Sequence, residues 1–277
     1  MSAAGIDKLP SSIPRRTAAN LIAWLALPGR PRKIRNARLL PPMQRLVAGV
    51  LVAVFAVGLA MILLDARVLS FARTLPLWVV EVFQEITDFG QSKWFLVPIA
   101  IVIVVLAVLT GPAADRIANL VVTTLVVRLE FLFLAIALPG LFVTIVKRFI
   151  GRVRPSDLGP FAYMPWSWRP EYASMPSGHS TTAVAAAVAI GLLWPRARVP
   201  IWIYAVLILL SRVAIQAHFT SDVTAGACVG AFGAILVRNW FSARGLAFTA
   251  EPGGTVCALP GPSWRRIKTV ARRLIGQ

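Results

Sequence analysis

Long uncharged apolar runs alternate with shorter polar stretches along most of the chain. The first convincing run, residues 46–64, has 19 uncharged residues and would form about 28 Å of helix, which matches the thickness of a bilayer core. Further runs predict spans at residues 94–110, 131–145, 181–194, 201–216 and 223–241. The third span belongs to a longer apolar region that contains Arg128 and Glu130, which we expect at its cytoplasmic edge. The pattern predicts an all-α, polytopic membrane protein built as a bundle of six transmembrane helices.

Composition agrees with this class, because 57% of the 277 residues are hydrophobic and only 14% are charged. We predict three segments: a basic cytoplasmic segment at residues 1–45, a membrane domain at 46–241 and a cytoplasmic tail at 242–277. Within the tail, residues 243–262 have the Gly, Pro and Ala content of a linker. Residues 263–277 have the spacing of a basic amphipathic helix, which we expect on the anionic inner leaflet, with a solvated tail as the alternative.

The net charge of +18 is concentrated at the two ends of the chain. A basic arm beside a span can bind nucleic acid or anchor the chain to anionic lipid. We favour the lipid, because no basic patch is interleaved with stacking aromatics in a folded module. Six spans put both termini on the side that carries 20 of the 29 Lys and Arg residues, and the positive-inside bias makes that side cytoplasmic. Residues 146–180 and 217–222 are then expected at the outer face.

The reactive side chains of this predicted outer face fall into three pieces. They are Lys147, Arg148, Arg152, Arg154 and Pro155 after the third span, Pro176 to His179 before the fourth, and Ser211 to Asp222 at the end of the fifth. Taken separately, they are typical of interface anchors, a capped turn and a snorkelling arginine. Together they contain both histidines of the protein, His179 and His218, and this convergence favours a functional site.

The spacing within these pieces suits chemistry on a phosphate group. On a helix, His218 and Asp222 would stack on one face, so that the carboxylate holds one ring nitrogen and leaves the other to react. Ser177 and Gly178 at a helix N-terminus would present backbone N–H groups to an anion. Several cations and two imidazoles suit a phosphate, whereas the carboxylate cluster of a magnesium or zinc site is lacking. One imidazole can attack phosphorus while the other protonates the departing oxygen.

The three pieces resemble the type 2 phosphatidic acid phosphatases, which share their site with vanadium haloperoxidases. The family pattern K-x6-R-P, P-S-G-H and S-R-x5-H-x3-D is matched at every fixed position, and the resemblance covers residues 46–241. It implies that His218 is the nucleophile that forms a phosphohistidine, that Asp222 orients it, and that His179 is first the general acid and then the base. It also implies a set of phosphate-binding residues: Lys147, Arg154, Ser177, Gly178 and Arg212. Arg148 and Arg152 match no fixed position, and we expect them only to steer anions.

The resemblance implies a hydrolase that needs no metal or cofactor and acts on the phosphate or pyrophosphate of a membrane lipid. Phosphatidic acid, phosphatidylglycerol phosphate, undecaprenyl pyrophosphate and lipid A phosphates all fit this description. We expect a bacterial inner membrane, a site that faces the periplasm, no nucleic-acid partner, and an entrance lined by the aromatic residues of 156–175. A lipid-linked phosphotransferase with the same intermediate, a vanadate-dependent haloperoxidase and a non-catalytic scaffold remain open. The oligomeric state is not predicted.

Overall fold

The computed structural model describes residues 12–34, 38–111, 115–155, 159–251 and 255–275, so Lys8 and Arg35 of the basic N-terminal segment lie outside the described residues. The helices are α1 (Ile13–Leu25), α2 (Met43–Leu63), α3 (Asp65–Arg73), α4 (Leu77–Asp88), α5 (Lys93–Leu109), α6 (Arg116–Ile150), α7 (Gly178–Leu193), α8 (Arg198–Ala214), α9 (Thr220–Ala243) and α10 (Trp264–Ile275). Two short antiparallel strands follow α9, β1 (Phe248–Ala250) and β2 (Val256–Ala258). The described chain is nearly all helical, which confirms the predicted all-α class.

Five stretches of the described chain are long and apolar enough to cross a membrane. They are Met43–Leu63, Leu77–Leu109, Arg116–Ile150, Pro195–Ala214 and Thr220–Ala243. Only 6% of the most apolar window of α2 is buried within the protein, as expected for a helix that contacts lipid on most sides. α7 is also apolar but has only 16 residues, so the sixth crossing and the side that each loop faces stay predictions.

The helix bounds differ from the expected spans in two places. α6 is one continuous helix of 35 residues, so Arg128 and Glu130 lie well inside a helix, and their place at the cytoplasmic edge of the membrane stays a prediction. Arg128 is accommodated there because it donates to the carbonyl oxygens of Thr124 and Leu259, at 3.1 and 2.7 Å. The segment between the first two expected spans forms α3 and α4, and Asp65 at the start of α3 is buried.

The predicted linker after α9 contains the β1–β2 hairpin. Phe248 of β1 is buried, and its ring lies 4.7 Å from that of Phe131, centroid to centroid, which gives the hairpin an apolar anchor. α10 forms over most of the predicted amphipathic segment. Val270 and Leu274 are buried on one side of α10, whereas Trp264 is exposed. Contact of α10 with the inner leaflet stays a prediction.

The chain divides into two compact units. One consists of the described residues of 1–37, 97–131 and 240–277, and the other of 38–96 and 132–239. In the first unit, Asn20 of α1 donates to the carbonyl oxygens of Ala107 and Thr110, at 2.9 and 3.0 Å. In the second unit, α7 packs against α8, and Ala183, Ala187, Ala205 and Ile208 form a buried cluster between them. All three sequence motifs belong to this second unit.

α7 and α9 approach each other closely at two glycines of α9. A Cβ atom at Gly226 would overlap the carbonyl oxygen of Ser177, and one at Gly230 would overlap that of Thr181. Small residues allow membrane helices to pack backbone against backbone. The start of α7, which carries one motif, is therefore held directly against α9, which carries part of another.

Substitution at Gly226 should loosen this contact. We expect Gly226→Ala to lower the free energy of unfolding by about 1–3 kcal/mol, because the added methyl group forces α7 and α9 apart. Thermal unfolding of the purified protein in detergent measures the effect. Gly49→Ala in α2 is the matched control, because nothing lies within 4 Å of a Cβ at that position. Equal melting temperatures for the two variants would contradict the close contact.

Candidate active site

The first motif spans the end of α6 and the turn that follows it. Gly151 ends the helix with a φ of 63°, and its N–H donates to the carbonyl oxygen of Lys147 at 3.0 Å. This left-handed conformation favours glycine. The chain then extends between two neighbouring segments, because the N–H of Val153 donates to Ala162 O and that of Arg154 to Glu171 O. The spacing of the first motif therefore places Lys147 on a helix end and Arg154 on an extended segment, within electrostatic reach of each other.

The second motif is the N-terminus of α7. Ser177 is the N-cap, and its Oγ accepts hydrogen bonds from the N–H and the hydroxyl group of Ser180, at 3.5 and 3.0 Å. The predicted capping role is confirmed. A Cβ at Gly178 would meet nothing within 4 Å, so the first turn of α7 borders open space. Backbone N–H groups at such a helix start attract an anion.

The third motif does not lie on a single helix, so the expected stacking of His218 and Asp222 on one helical face is wrong. α8 ends at Ala214, and the N–H groups of residues 217 and 218 both donate to the carbonyl oxygen of Arg212, at 3.1 and 3.2 Å. Gln216 has a φ of 56°, which reverses the chain direction. Asp222 lies in the first turn of α9, where its Oδ2 accepts from the N–H of Phe219 at 3.0 Å. His218 therefore precedes the helix that carries Asp222.

A serine that the sequence analysis missed lies between the histidine and the carboxylate. The distance from His218 Nδ1 to Asp222 Oδ2 is 3.8 Å, which is too long for a hydrogen bond. The hydroxyl oxygen of Ser174 lies 2.6 Å from Asp222 Oδ2 and 3.4 Å from His218 Nδ1. Ser174 donates to the carboxylate, so its oxygen can accept from a protonated Nδ1. Only its position just before the second motif could have drawn attention to it.

His218 is buried, with 4% of its surface exposed. Burial lowers the pKa of His218 to about 4, Asp222 opposes this shift, and the positive charges of Arg212 and Arg154 lower the pKa further. The imidazole is therefore neutral above about pH 4. When Nδ1 carries the proton towards Ser174, the lone pair on Nε2 is free, which is the form that a nucleophile needs.

Cations of the first and third motifs lie near the two histidines. His179 is within electrostatic reach of Lys147, Arg154, Arg212 and His218. The backbone joins the second and third motifs directly, because the N–H of Ser177 donates to the carbonyl oxygen of Asp222 at 3.0 Å. The structure thus brings together residues that lie far apart in the sequence.

Arg212 is a buried cation that forms no ion pair within the described part of the chain, although Asp88 lies within electrostatic reach. Arg212 is 6% exposed, and its Nη1 donates to Thr87 Oγ1 of α4 at 2.7 Å, a contact that the sequence did not indicate. Its Nε has no hydrogen-bond partner, and the ion pairs of the described residues do not include it. A buried charge that lacks a counter-ion is costly. The arrangement favours binding of an anion.

The expectation that Arg152 only steers anions is wrong. Its side chain is fully buried, with Nη1 2.6 Å from Asp222 Oδ1 and Nη2 2.7 Å from Asp65 Oδ2. Two carboxylates compensate for the cost of burying this guanidinium group. Asp65 is a further residue that the sequence analysis missed as part of the site. Arg148 differs from Arg152, because it donates to the carbonyl oxygen of Trp168 at 2.8 Å and lies over the ring of the same residue.

A cavity of about 370 Å³ borders His179 and Gly178. Its other walls are the turn after α4, the middle of α6 and Thr182 of α7. The aromatic residues that we expected at a substrate entrance, Phe161, Tyr163, Trp166 and Trp168, do not line this cavity and are exposed. Their role at an entrance stays a prediction.

Comparison with known proteins gives consistent results. The PAP2 superfamily profile matches residues 129–246. Lipid A 1-phosphatase of Rhizobium etli is 35% identical to the chain over 223 residues, which cover 78% of this chain and 93% of that protein. Lipid A 1-phosphatase of Rhizobium johnstonii is 35% identical over 239 residues, with coverage of 83% and 94%. The crystal structure of Aquifex aeolicus LpxE matches 63% of this chain and 94% of its own, with a TM-score of 0.47 and 21% identity.

Identity at this level, over most of both chains, confirms the family resemblance that rests on the three motifs. The same relatives and the apolar helices support an enzyme embedded in a membrane. The protein belongs to the PAP2 superfamily and is a membrane phosphatase.

Proposed function

We propose that the protein hydrolyses the phosphate of a membrane lipid through a phosphohistidine on His218. The observation that carries this proposal is the pairing of two histidines within one group of cations, with His218 linked through Ser174 to Asp222. A neutral, oriented imidazole is a competent nucleophile. The surrounding cations compensate for the charge of the phosphate that it attacks.

The reaction has two displacements at phosphorus. His218 Nε2 forms a bond to phosphorus while the bond to the lipid oxygen breaks, and His179, which is protonated once the negative phosphate is bound beside it, donates its proton to that oxygen. The imidazolium formed on His218 is stabilised through Nδ1–H by Ser174 and Asp222. His179, now neutral, removes a proton from water, which attacks phosphorus and breaks the phosphorus–nitrogen bond. Inorganic phosphate leaves, and both histidines regain their starting forms.

The phosphate oxygens would be held by the cations Lys147, Arg154 and Arg212 and by the first turn of α7. Nε of Arg212 is buried and has no hydrogen-bond partner among the described residues, which supports this role. Ser177 accepts two hydrogen bonds from Ser180 and keeps its own hydroxyl proton for donation to a phosphate oxygen. Gly178 leaves space for the N–H groups of the first turn to contact the anion. Lys147 and Arg154 complete the positive surroundings.

We propose that the reaction needs no metal ion. Two buried carboxylates of the site, Asp65 and Asp222, already form ion pairs with Arg152. They are therefore poorly placed to act as ligands of magnesium or zinc, which would need additional oxygen or nitrogen ligands. Cations and helix N–H groups perform the charge stabilisation that a metal would otherwise supply.

The proposed substrate is the 1-phosphate of lipid A. Two relatives at 35% identity carry the name lipid A 1-phosphatase. The cavity of about 370 Å³ beside His179 is where we place part of the leaving group, which must lie next to the general acid for any of these lipids. We place the site at the periplasmic face of a bacterial inner membrane, with both termini in the cytoplasm, α7 as the sixth crossing and residues 46–241 as the catalytic domain. The excess of basic residues at the two ends supports this orientation.

A panel of lipid phosphates tests the proposal. We expect the purified protein to release phosphate from lipid A with a higher kcat/KM than from phosphatidic acid, phosphatidylglycerol phosphate or undecaprenyl pyrophosphate. EDTA should leave these rates unchanged. Phosphate release without an acceptor lipid would distinguish hydrolysis from phosphotransfer. Absence of turnover with every lipid would refute the function, and loss of activity with EDTA that added metal restores would refute the metal-free mechanism.

A further inference from the structure

Asp65 and Arg152 form a buried ion pair directly behind the proposed catalytic residues. Their side chains are fully buried, and Arg152 Nη2 lies 2.7 Å from Asp65 Oδ2. Asp65 begins α3, just after the first span, and Arg152 follows the end of α6. Neither residue occupies a fixed position of the family pattern. The pair therefore connects two parts of the chain that are distant in sequence. Because both charges are buried, each needs the other as a counter-ion.

Arg152 uses every donor of its guanidinium group. Nη1 donates to Asp222 Oδ1 and to Ser221 Oγ, both at 2.6 Å. Nε and Nη2 both donate to the carbonyl oxygen of Pro160, at 3.1 and 2.9 Å. The guanidinium also lies over the ring of Phe219, 4.5 Å from its centroid. Because Arg152 holds Oδ1 of Asp222, the other carboxylate oxygen is left to face Ser174.

Asp65 fixes the helix start that carries Asp222. Its Oδ1 accepts from the backbone N–H of Ser221 at 2.8 Å, and its Oδ2 accepts from the hydroxyl group of Ser221 at 2.6 Å. A carboxylate that accepts from the first turn of a helix also interacts favourably with the helix dipole. Asp65 thus anchors α9 one residue before Asp222, in addition to its contact with Arg152.

The charges of this group are unequal. Two carboxylates face one guanidinium in these contacts, so the group as a whole carries a negative charge. Arg152 and Asp222 alone would be neutral. Asp65 restores the net negative charge that favours an imidazolium on His218. This charge matters when His218 carries the phosphoryl group and becomes cationic.

We propose that Asp65 and Arg152 are positioning residues that act on His218 through Asp222. This inference rests on the proposed roles of His218 and Asp222. Arg152 sets the orientation of the Asp222 carboxylate, and Asp65 holds Arg152 and the start of α9 while it supplies the excess negative charge. The end of the first span is thereby coupled to the nucleophile.

Nearly isosteric substitutions separate this role from a purely structural one. We expect Asp65→Asn to lower kcat by about 10²-fold, as a small displacement of a catalytic group does. KM should change little, because the residues that bind phosphate are untouched. A double variant, Asp65→Asn with Arg152→Gln, should lose less activity than the product of the two single losses, because the residues act as one unit. Steady-state kinetics on a lipid phosphate measure these effects.

The pH dependence of kcat/KM provides a readout that misfolding would not produce. The charged and titratable groups that face His218 are Asp222 on α9, Arg212 on α8, Arg154 after α6 and His179 on α7. Asp65→Asn removes a negative charge near His218 and its neighbours and should move the acid limb of the kcat/KM profile to lower pH. Arg152→Gln removes a positive charge and should move it to higher pH. Asp65→Glu retains the charge and should return the limb towards its original position.

Two exposed residues provide matched controls: Glu85→Gln on α4 for the acid and Arg67→Gln on α3 for the arginine. We expect neither to change kcat or the pH profile. If Arg152→Gln fails to fold, Asp65→Asn and Asp65→Glu still test the inference. The inference is overturned if Asp65→Asn has the same kcat and pH profile as Glu85→Gln. It is also overturned if the activity of Asp65→Asn falls only in proportion to the amount of folded protein, with an unchanged pH profile. The wild-type protein and His218→Ala test the proposed function separately. An inactive wild-type protein or an active His218→Ala variant would refute the proposed function, and neither result is expected from a failure of the inference about Asp65 and Arg152.

Discussion

We expect His218→Gln to release phosphate from lipid at least about 10⁴-fold more slowly than the unchanged protein, because the substitution removes the nucleophile. Glutamine has a similar size and polarity, so the buried position beside Ser174 should remain filled. Phosphate release in detergent micelles measures the rate. Brief incubation with ³²P-labelled lipid, followed by quenching, measures the covalent intermediate. A phosphorus–nitrogen bond is labile in acid and stable in base, which distinguishes a phosphohistidine from a phosphoserine.

The covalent label identifies the nucleophile independently of the rate. The unchanged protein should carry an acid-labile label, and His218→Gln should carry none. Thermal unfolding provides the folding control, because a variant that melts with the unchanged protein has lost chemistry rather than structure. Retention of the label in His218→Gln would show that a different residue attacks phosphorus.

The second large effect is expected for His179→Gln, and it should depend on the leaving group. With a lipid phosphate, the departing oxygen needs a proton, so loss of the general acid should lower kcat by about 10²–10⁴-fold. With p-nitrophenyl phosphate the leaving phenolate is stable without protonation, so His218 should still be phosphorylated. The base that activates water is also absent in this variant. The phosphohistidine should therefore accumulate, which appears as a burst of nitrophenolate followed by slow turnover.

His218→Gln is the control for the burst, because it retains His179 but has no nucleophile and should release no nitrophenolate in the first phase. Equal loss of activity by His179→Gln on the lipid and on the aryl phosphate, with no burst, would exclude the role of His179 as acid and base. The two variants together thus assign both steps to named residues, since the enzyme has no further histidine.

The contact between Arg152 and the two carboxylates changes the interpretation of the whole basic cluster after α6. Of its four cations, Lys147 and Arg154 lie near His179, Arg148 contacts the aromatic segment, and Arg152 is fully buried against two carboxylates. Four similar side chains within eight residues therefore have three different surroundings. The charge of each side chain does not predict its surroundings, because these depend on which other residues pack against it.

The sequence alone determined the features that depend on local spacing. Long apolar runs predict membrane helices, because lipid offers no hydrogen-bond partner to the backbone N–H and C=O groups and a helix pairs them internally. Five of the predicted spans correspond to such helices. Ser177 at the cap of α7 was also predictable, because capping involves only residues in the next turn. The three motifs identified the family, which the comparisons confirm.

Only the tertiary structure decided what lies behind the motifs and how the third one is shaped. Asp65 and Asp222 are 157 residues apart, yet both contact Arg152, and no local pattern marks such a pair. Ser174 became part of the site because folding placed its hydroxyl between Asp222 and His218. The turn at Gln216 removed His218 from the helix that its spacing suggested. Burial of a charge is stable only beside its partners, and those partners are chosen by long-range packing rather than by neighbours in the chain.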